Sequence, residues 1–186
     1  KTITTGEGGM VLFKNKKNYN LACKIRNNGM NEIKKYWHDI KGSNFKLTNI
    51  QAAIGIAQID KLNKYVKKKN LIARNYKKLF NKFKLDIKVP INQAFAINSY
   101  WLFTILINNP KKRDKLIKFL KSKGIDSRPL FYPLSLMKPY HNKVKRKFSN
   151  SVDISKRGVS LPSSYNLSFD DQAHIVKNIK YFLDNK

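Results

Sequence analysis

The chain opens Lys1-Thr-Ile-Thr-Thr-Gly-Glu-Gly-Gly, a lysine followed at once by a turn with three glycines within four residues and a carboxylate among them. Gly6, Gly8 and Gly9 supply the positive φ values that a tight turn requires, and Met10 to Phe13 is expected to continue as a short apolar strand. The familiar phosphate loops do not fit. No Gly-Lys-Ser/Thr closes the segment as in a Walker loop, and Val11 stands where the dinucleotide fingerprint requires its third glycine. On these residues alone, a plain β-turn before a strand is an equal reading. Other residues with reactive side chains are sparse. His38, His141 and His174 lie far apart without ligand spacing, and a single cysteine, Cys23, leaves a structural zinc site without donors, so no metal is expected. His38, between Trp37 and Asp39 in Tyr-Trp-His-Asp-Ile-Lys-Gly-Ser-Asn, is the histidine best placed for a site, with packing or tethering of its loop as the alternative. His174 falls in the terminal helix and is expected at the surface.

The elements that must position these residues are visible as periodicities. The stretch from Asn15 to Met30 has Leu21 and Ile25 on one helical face and Asn28-Gly29 as its stop. Thr48 and Gln51 form a capping box, and Ile50, Ala53, Ile54 and Ala57 follow at i, i+3, i+4 and i+7. Ala52, Ala53, Gly55 and Ala57 make this helix small-sided, which suits close approach of another backbone. The pattern is expected to run on as one long helix towards Phe80. Phe83, Leu85, Ile87 and Val89 then alternate with Lys84, Asp86 and Lys88, a half-buried strand with a lysine-guarded outer face that Pro90 ends. Ser-Tyr-Trp-Leu-Phe-Thr-Ile-Leu-Ile (99–107) is apolar on both faces and should be a central strand of the same sheet. A helix over 111–123 turns Leu116, Phe119 and Leu120 inward before Gly124. Residues 125–134 are extended and broken by two prolines. The last helix is capped by Ser168 and Asp171 and carries Ile175, Ile179 and Phe182. The boundary expected from this pattern lies near residue 82, giving 1–82 and a β-α-β-α unit over 83–186.

Composition narrows the class. The chain has 186 residues, 41% of them hydrophobic and 12% aromatic, enough for a full core. No apolar run approaches the roughly 20 residues of a membrane-spanning helix, and Cys23 has no partner for an internal disulfide, so a soluble protein in a reducing, cytoplasmic setting is expected. The formal charge of +28 would attract nucleic acid or an anionic membrane. Yet only six of the 39 basic residues are arginine, the type favoured for bidentate phosphate and base recognition. The lysines cover every expected solvent face, and the charge reads as incidental to a lysine-, asparagine- and isoleucine-rich composition.

Lys-Thr-Ile-Thr-Thr-Gly-Glu-Gly-Gly-Met-Val (1–11) and, some thirty residues on, Tyr-Trp-His-Asp-Ile-Lys-Gly-Ser-Asn-Phe-Lys-Leu-Thr-Asn-Ile-Gln-Ala-Ala-Ile-Gly (36–55) together resemble the DegT/DnrJ/StrS sugar aminotransferases. These are pyridoxal-phosphate enzymes of fold type I that aminate keto sugars carried on nucleotides. The likeness continues through residues 98–107, 123–140 and 158–168. It is closest to the perosamine-synthase-like branch, which acts on a GDP-linked 4-keto-6-deoxy sugar. The resemblance implies an α/β fold, the C-terminal part of a fold-type I transferase: the end of the large cofactor-binding domain with its connecting helix over 1–82, and the small C-terminal domain over 83–186.

The resemblance also implies roles. Lys1 matches the lysine whose amine condenses with the cofactor aldehyde and then moves protons between substrate carbon and cofactor. Relatives with histidine there dehydrate their substrates, so Lys1 favours transamination. Asn44 matches the residue that reaches the cofactor phosphate from the neighbouring subunit, which implies a homodimer with shared active sites. Lys46 stands where the family usually has arginine, keeping the charge without the planar fork, and is a substrate candidate alongside His38. Tyr100 and Trp101 match the aromatic position lining the sugar pocket, with a core role for Trp101 as the alternative. The family's phosphate turn, its ring-stacking aromatic residue and the aspartate facing the pyridine nitrogen all precede the lysine. The sequence is therefore expected to be the later part of a larger enzyme, inactive alone. The implied partners are a nucleotide sugar and an amino-acid donor, glutamate foremost, serving cell-surface polysaccharide synthesis, with no specific nucleic acid and no membrane. The competing expectation, resting on net charge alone, is a non-catalytic basic protein that binds polyanions.

Overall fold

In the computed structural model, which describes residues 1–141 and 148–185, the chain divides between Leu62 and Asn63 into two units. The first contains helices α1 (Lys16–Arg26) and α2 (Asn49–Ile59) and long connections. The second follows the order α3 (Leu62–Lys82), β1 (Ile87–Lys88), β2 (Phe103–Ile107), α4 (Arg113–Ser122), β3 (Arg128–Pro129), α5 (Lys138–His141), α6 (Ser149–Arg157), β4 (Gly158–Leu161) and α7 (Phe169–Asn185). The division falls twenty residues before the expected boundary near 82. The reason is the apolar face of α3: Ile72, Ala73, Tyr76, Leu79 and Phe80 are all buried in the core of the second unit.

In the first unit α1 starts where Asn15 accepts hydrogen bonds from Lys17 N at 2.8 Å and Asn18 N at 3.4 Å. It stops at Asn28 and Gly29, both in the left-handed region. The capping box of α2 is formed from both sides: Gln51 Oε1 accepts from Thr48 N at 2.9 Å, and Thr48 Oγ1 accepts from Gln51 N at 3.2 Å. The expected long helix is two helices. Lys61 N donates to Gln58 O at 3.1 Å, a tightened last turn that ends α2 before α3 begins. The expected strand at Met10–Phe13 is absent. No strand among the described residues pairs with it, and Met10 and Leu12 are 87% and 89% exposed.

The second unit is built on a four-stranded sheet in the order β1-β2-β4-β3, antiparallel throughout. The elements after α3 run β-β-α-β-α-α-β-α rather than in the expected β-α-β-α order. β2 is interior, as its two-sided apolar sequence required, and the lysine-flanked β1 is one edge, with β3 the other. β4 went unread in the sequence; four residues are too few to show a period, although all four are buried. The core stacks Tyr76 on Phe103 at 4.9 Å between ring centroids and on Phe80 at 5.8 Å. Buried Gln172 of α7 donates to Ile72 O at 2.8 Å and accepts from Asn75, so its amide is satisfied on both sides.

Candidate active site

The glycine-rich turn of the first unit is fixed by its own threonines. Gly6 N donates to Thr4 Oγ1 at 3.0 Å and Thr5 Oγ1 donates to Glu7 O at 2.7 Å. Gly6 and Gly8 have positive φ, while Gly9 does not. A Cβ at Gly8 would lie 2.8 Å from Thr5 Oγ1 and 3.2 Å from Leu47, so the turn admits no side chain there. Gln51 then joins the turn to α2: its Nε2 donates to Glu7 O at 3.1 Å while its Oε1 serves the cap. Gly55, one turn further along α2, faces the Thr5 methyl, which would sit 3.1 Å from an added Cβ. The small face of α2 thus receives the turn that follows Lys1. Lys1 itself is exposed. The Gln51 bridge went unread, although the residue type signalled it. A glutamate would complete the same capping box but could not donate to a carbonyl.

The segment 28–46 folds back onto the end of α1. Asp39 N donates to Gly29 O at 3.0 Å, Ser43 N to Ile25 O at 2.9 Å and Phe45 N to Arg26 O at 3.1 Å. A Cβ on Gly29 would stand 1.9 Å from Ile40 O, and one on Gly42 2.3 Å from Gly29 N, so the two strands of this loop touch through paired glycines. His38 Nδ1 lies 2.8 Å from Asn28 O, which can only accept; that nitrogen carries the proton and the ring tethers the loop. Lys24 and Asn31 both donate to Asp39 and hold its carboxyl below the usual carboxylate range. Asn44 Oδ1 accepts from Lys46 N at 3.4 Å, which leaves the Asn44 Nδ2 group as a donor without a partner among the described residues. Asn44 and Lys46 are both exposed. Lys1, His38, Asn44 and Lys46 all belong to the first unit.

Tyr100 and Trp101 belong to the second unit and part ways there. Tyr100 is 3% exposed, and its hydroxyl donates to Asn92 Oδ1. Trp101 is 36% exposed and stacks on Phe131 with centroids 6.3 Å apart. The core role considered for Trp101 is filled by its neighbour.

The donor set suits two ends of a pyridoxal phosphate: an exposed primary amine at Lys1 for the aldehyde and a carboxamide N–H at Asn44 for the phosphate. It does not supply the ring nitrogen. Asp39, the carboxylate of the 28–46 loop nearest in sequence, is already engaged by Lys24 and Asn31.

Residues 1–180 match the DegT/DnrJ/EryC1/StrS aminotransferase family, and the chain belongs to that family. It is 36% identical over 186 residues to the GDP-perosamine synthase of Escherichia coli O157:H7, covering all of this chain and 50% of that protein. It is also 36% identical over 187 residues to the GDP-perosamine synthase of Vibrio cholerae, again 50% of that protein. The chain spans about half the length of the curated relatives it matches. Its fold is that of the solved aminotransferase TlmJ from Streptoalloteichus hindustanus, with a TM-score of 0.89 at 22% identity over 99% of this chain and 50% of that one. Helicobacter pylori PseC, an aminotransferase of pseudoaminic acid biosynthesis, gives 0.88 at 22% identity over 100% and 51%. No helix of the described residues is long and apolar enough to cross a membrane.

Proposed function

We propose that this chain is the C-terminal portion of a cytoplasmic, pyridoxal-phosphate-dependent aminotransferase that aminates a GDP-linked 4-keto-6-deoxy sugar with glutamate as donor. The observation that carries the reading is the Gln51 bridge, which bonds the turn behind Lys1 to the capped helix behind Asn44. Family membership and the perosamine synthase relatives support the substrate class. The cofactor, when bound, supplies the electron sink that lets an amino group leave one carbon and join another. The Lys1 amine anchors it and carries the proton to and from the reacting substrate carbon. Asn44 Nδ2 donates to the phosphate held by a second subunit, so that each site is shared across a homodimer. Lys46 and His38, which lie in the same loop as Asn44, are the candidates of the first unit for contact with substrate, and Trp101 is a separate candidate of the second unit.

The surface of the first unit supports an assembly of this kind. Ile50, Ile56 and Ile59 along α2, with Met10, Val11 and Leu12, are each more than half exposed. In the working enzyme this apolar surface is covered by the rest of the polypeptide and by the second subunit.

The test is a pair of substitutions in the cofactor-loaded enzyme. Lys1→Ala abolishes the pyridoxyl group that borohydride otherwise fixes on Lys1, read by peptide mass, with the fold intact. Asn44→Ala lowers cofactor affinity roughly ten- to a hundredfold, the worth of a hydrogen bond to a charged group. At a cofactor concentration too low to load Asn44→Ala, mixing the two variants restores partial activity through heterodimers with one unaltered site. Subunit exchange proven by mass without recovered activity would sink the shared site.

A further inference from the structure

The exposed face of α3 is a run of positive charge without a single carboxylate along its 21 residues. Part of that charge is organised. A cleft of about 570 Å³ lies between α3 and the segment 92–100 within the second unit. Lys67, Arg74 and Lys77 line it at i, i+7 and i+10, one stripe of the helix, and no acidic residue does. Lys67 and Arg74 are exposed, and neither side chain forms a hydrogen bond or ion pair among the described residues. Lys77 reaches deeper: its Nζ donates to Pro90 O at 2.8 Å and lies 3.5 Å from the Tyr100 hydroxyl.

The floor is held in place. Tyr100 has φ +43, a left-handed conformation that strains a residue with a bulky side chain and persists only where its surroundings enforce it. Here Tyr100 N donates to Asn98 Oδ1 at 2.8 Å, and Asn70 Nδ2 ties Asn98 O to α3 at 2.8 Å. The result turns the Tyr100 phenol inward onto Asn92 Oδ1, and the Asn92 amide N–H group is left without a partner among the described residues. The donors lining the cleft therefore include one guanidinium, two ammonium groups and the carboxamides of Asn63 and Asn92, while the Asn70 amide is engaged by Val66 O and Asn98 O. Val66 and Ile97 add an apolar wall.

We propose that this cleft binds a small molecule through a phosphoryl group, with Arg74 and Lys77 on the phosphate oxygens and the Val66–Ile97 wall against the organic part. Planar, five-donor arginine is the side chain suited to bidentate phosphate contact, and Arg74 is one of only six arginines in the chain. The inference does not rest on the transamination reading. Binding is measured on the 186-residue chain without pyridoxal phosphate, so its failure leaves that reading untouched.

Calorimetric titration of the chain with GDP, inorganic pyrophosphate and guanosine, at about 0.15 M salt, is the test. GDP and pyrophosphate bind one per chain and guanosine does not. Arg74→Ala weakens both roughly ten- to a hundredfold, as expected for loss of a charge-assisted contact. Lys111→Ala, an exposed lysine outside the cleft, leaves them unchanged. Arg74 is exposed, so the variant keeps the thermal transition of the parent, which is recorded alongside. Pyrophosphate binding as tightly as GDP assigns the affinity to the phosphoryl group; tighter GDP adds the apolar wall. Equal binding by Arg74→Ala, equal loss in Lys111→Ala, or guanosine binding as well as GDP would overturn the site. So would a DNA oligonucleotide that displaces GDP and is itself released by Arg74→Ala, which would give the cleft to nucleic acid.

Discussion

The two units of this chain are built on opposite terms. Every buried hydrophobic side chain among the described residues lies in the second unit, between Ile72 and Phe182. The first unit is ordered by backbone hydrogen bonds, caps and paired glycines, and it buries only Gly29. One unit carries its own hydrophobic core. The other keeps its apolar residues on its surface while its loops hold a definite path. Lys1 and Asn44, the residues proposed for cofactor chemistry, belong to the second kind of structure, where geometry is set by local bonds and the apolar faces stay exposed.

That contrast can be broken by measurement. Phe103 is fully buried in contact with Tyr76, and Phe103→Ala should lower unfolding stability by about 3–5 kcal/mol. Ile54 on α2 is 41% exposed, and Ile54→Ala should cost less than about 0.5 kcal/mol in the same denaturant titration. Comparable losses would mean that the first unit has a core after all. A smaller effect separates the glycines. A Cβ at Gly158 would meet Leu130 Cβ at 2.5 Å inside the second core, so Gly158→Ala should cost about 1–3 kcal/mol globally. Gly29→Ala, with its contact to Ile40 O, should instead speed amide exchange over 28–44 and leave the main transition in place.

The helix caps sharpen the contrast further. Ser168 accepts from Asp171 N at 3.0 Å and holds the start of α7, and Ser168→Ala should cost about 1 kcal/mol of the main transition. Thr48→Ala should fray α2 and, through Gln51, loosen the turn at Glu7, seen as faster exchange there with the main transition unmoved. The smallest effect is a pH dependence. The Lys24 and Asn31 hydrogen bonds depress the Asp39 carboxyl, so the loop stability it contributes is complete above the unfolded-state value near ~3.9 and is lost as pH falls through the folded-state value. Amide exchange at Gly29 and Asp39 should rise on acidification below about pH 4, and Asp39→Asn should flatten that profile. A profile unchanged by Asp39→Asn would remove the carboxylate from the loop's support.

Much of the second unit was legible because its signals are local. Strict alternation marked the edge strand, the two-sided apolar run marked the interior strand, and Ser168 with Asp171 marked the start of α7. What stayed hidden depends on partners distant in sequence. β4 is too short to show a period, and its antiparallel pairing with β3 sets Arg128 opposite Ser160, a partner far away in sequence. The break between α2 and α3 carries no proline or glycine. In the candidate site, Lys1, His38 and Asn44 were picked out by type and by likeness to a family. The Gln51 bridge, Asp39 held by Lys24, and the burial of Tyr100 beside an exposed Trp101 are contacts that periodicity does not encode.

The strand order has a consequence for synthesis. β4 sits between β2 and β3, yet it is the last of the four strands to leave the ribosome. Until Leu161 emerges, β2 can pair only with the two-residue β1, and the other edge of Phe103–Ile107 stays open. At roughly 5–20 residues per second the delay lasts on the order of several seconds. α7, whose Gln172 closes against Ile72 O, arrives later still. Each nascent chain thus passes through an interval in which an apolar strand edge is exposed to its neighbours, and a polysome crowded with such chains is where chaperone capture would matter most for this protein.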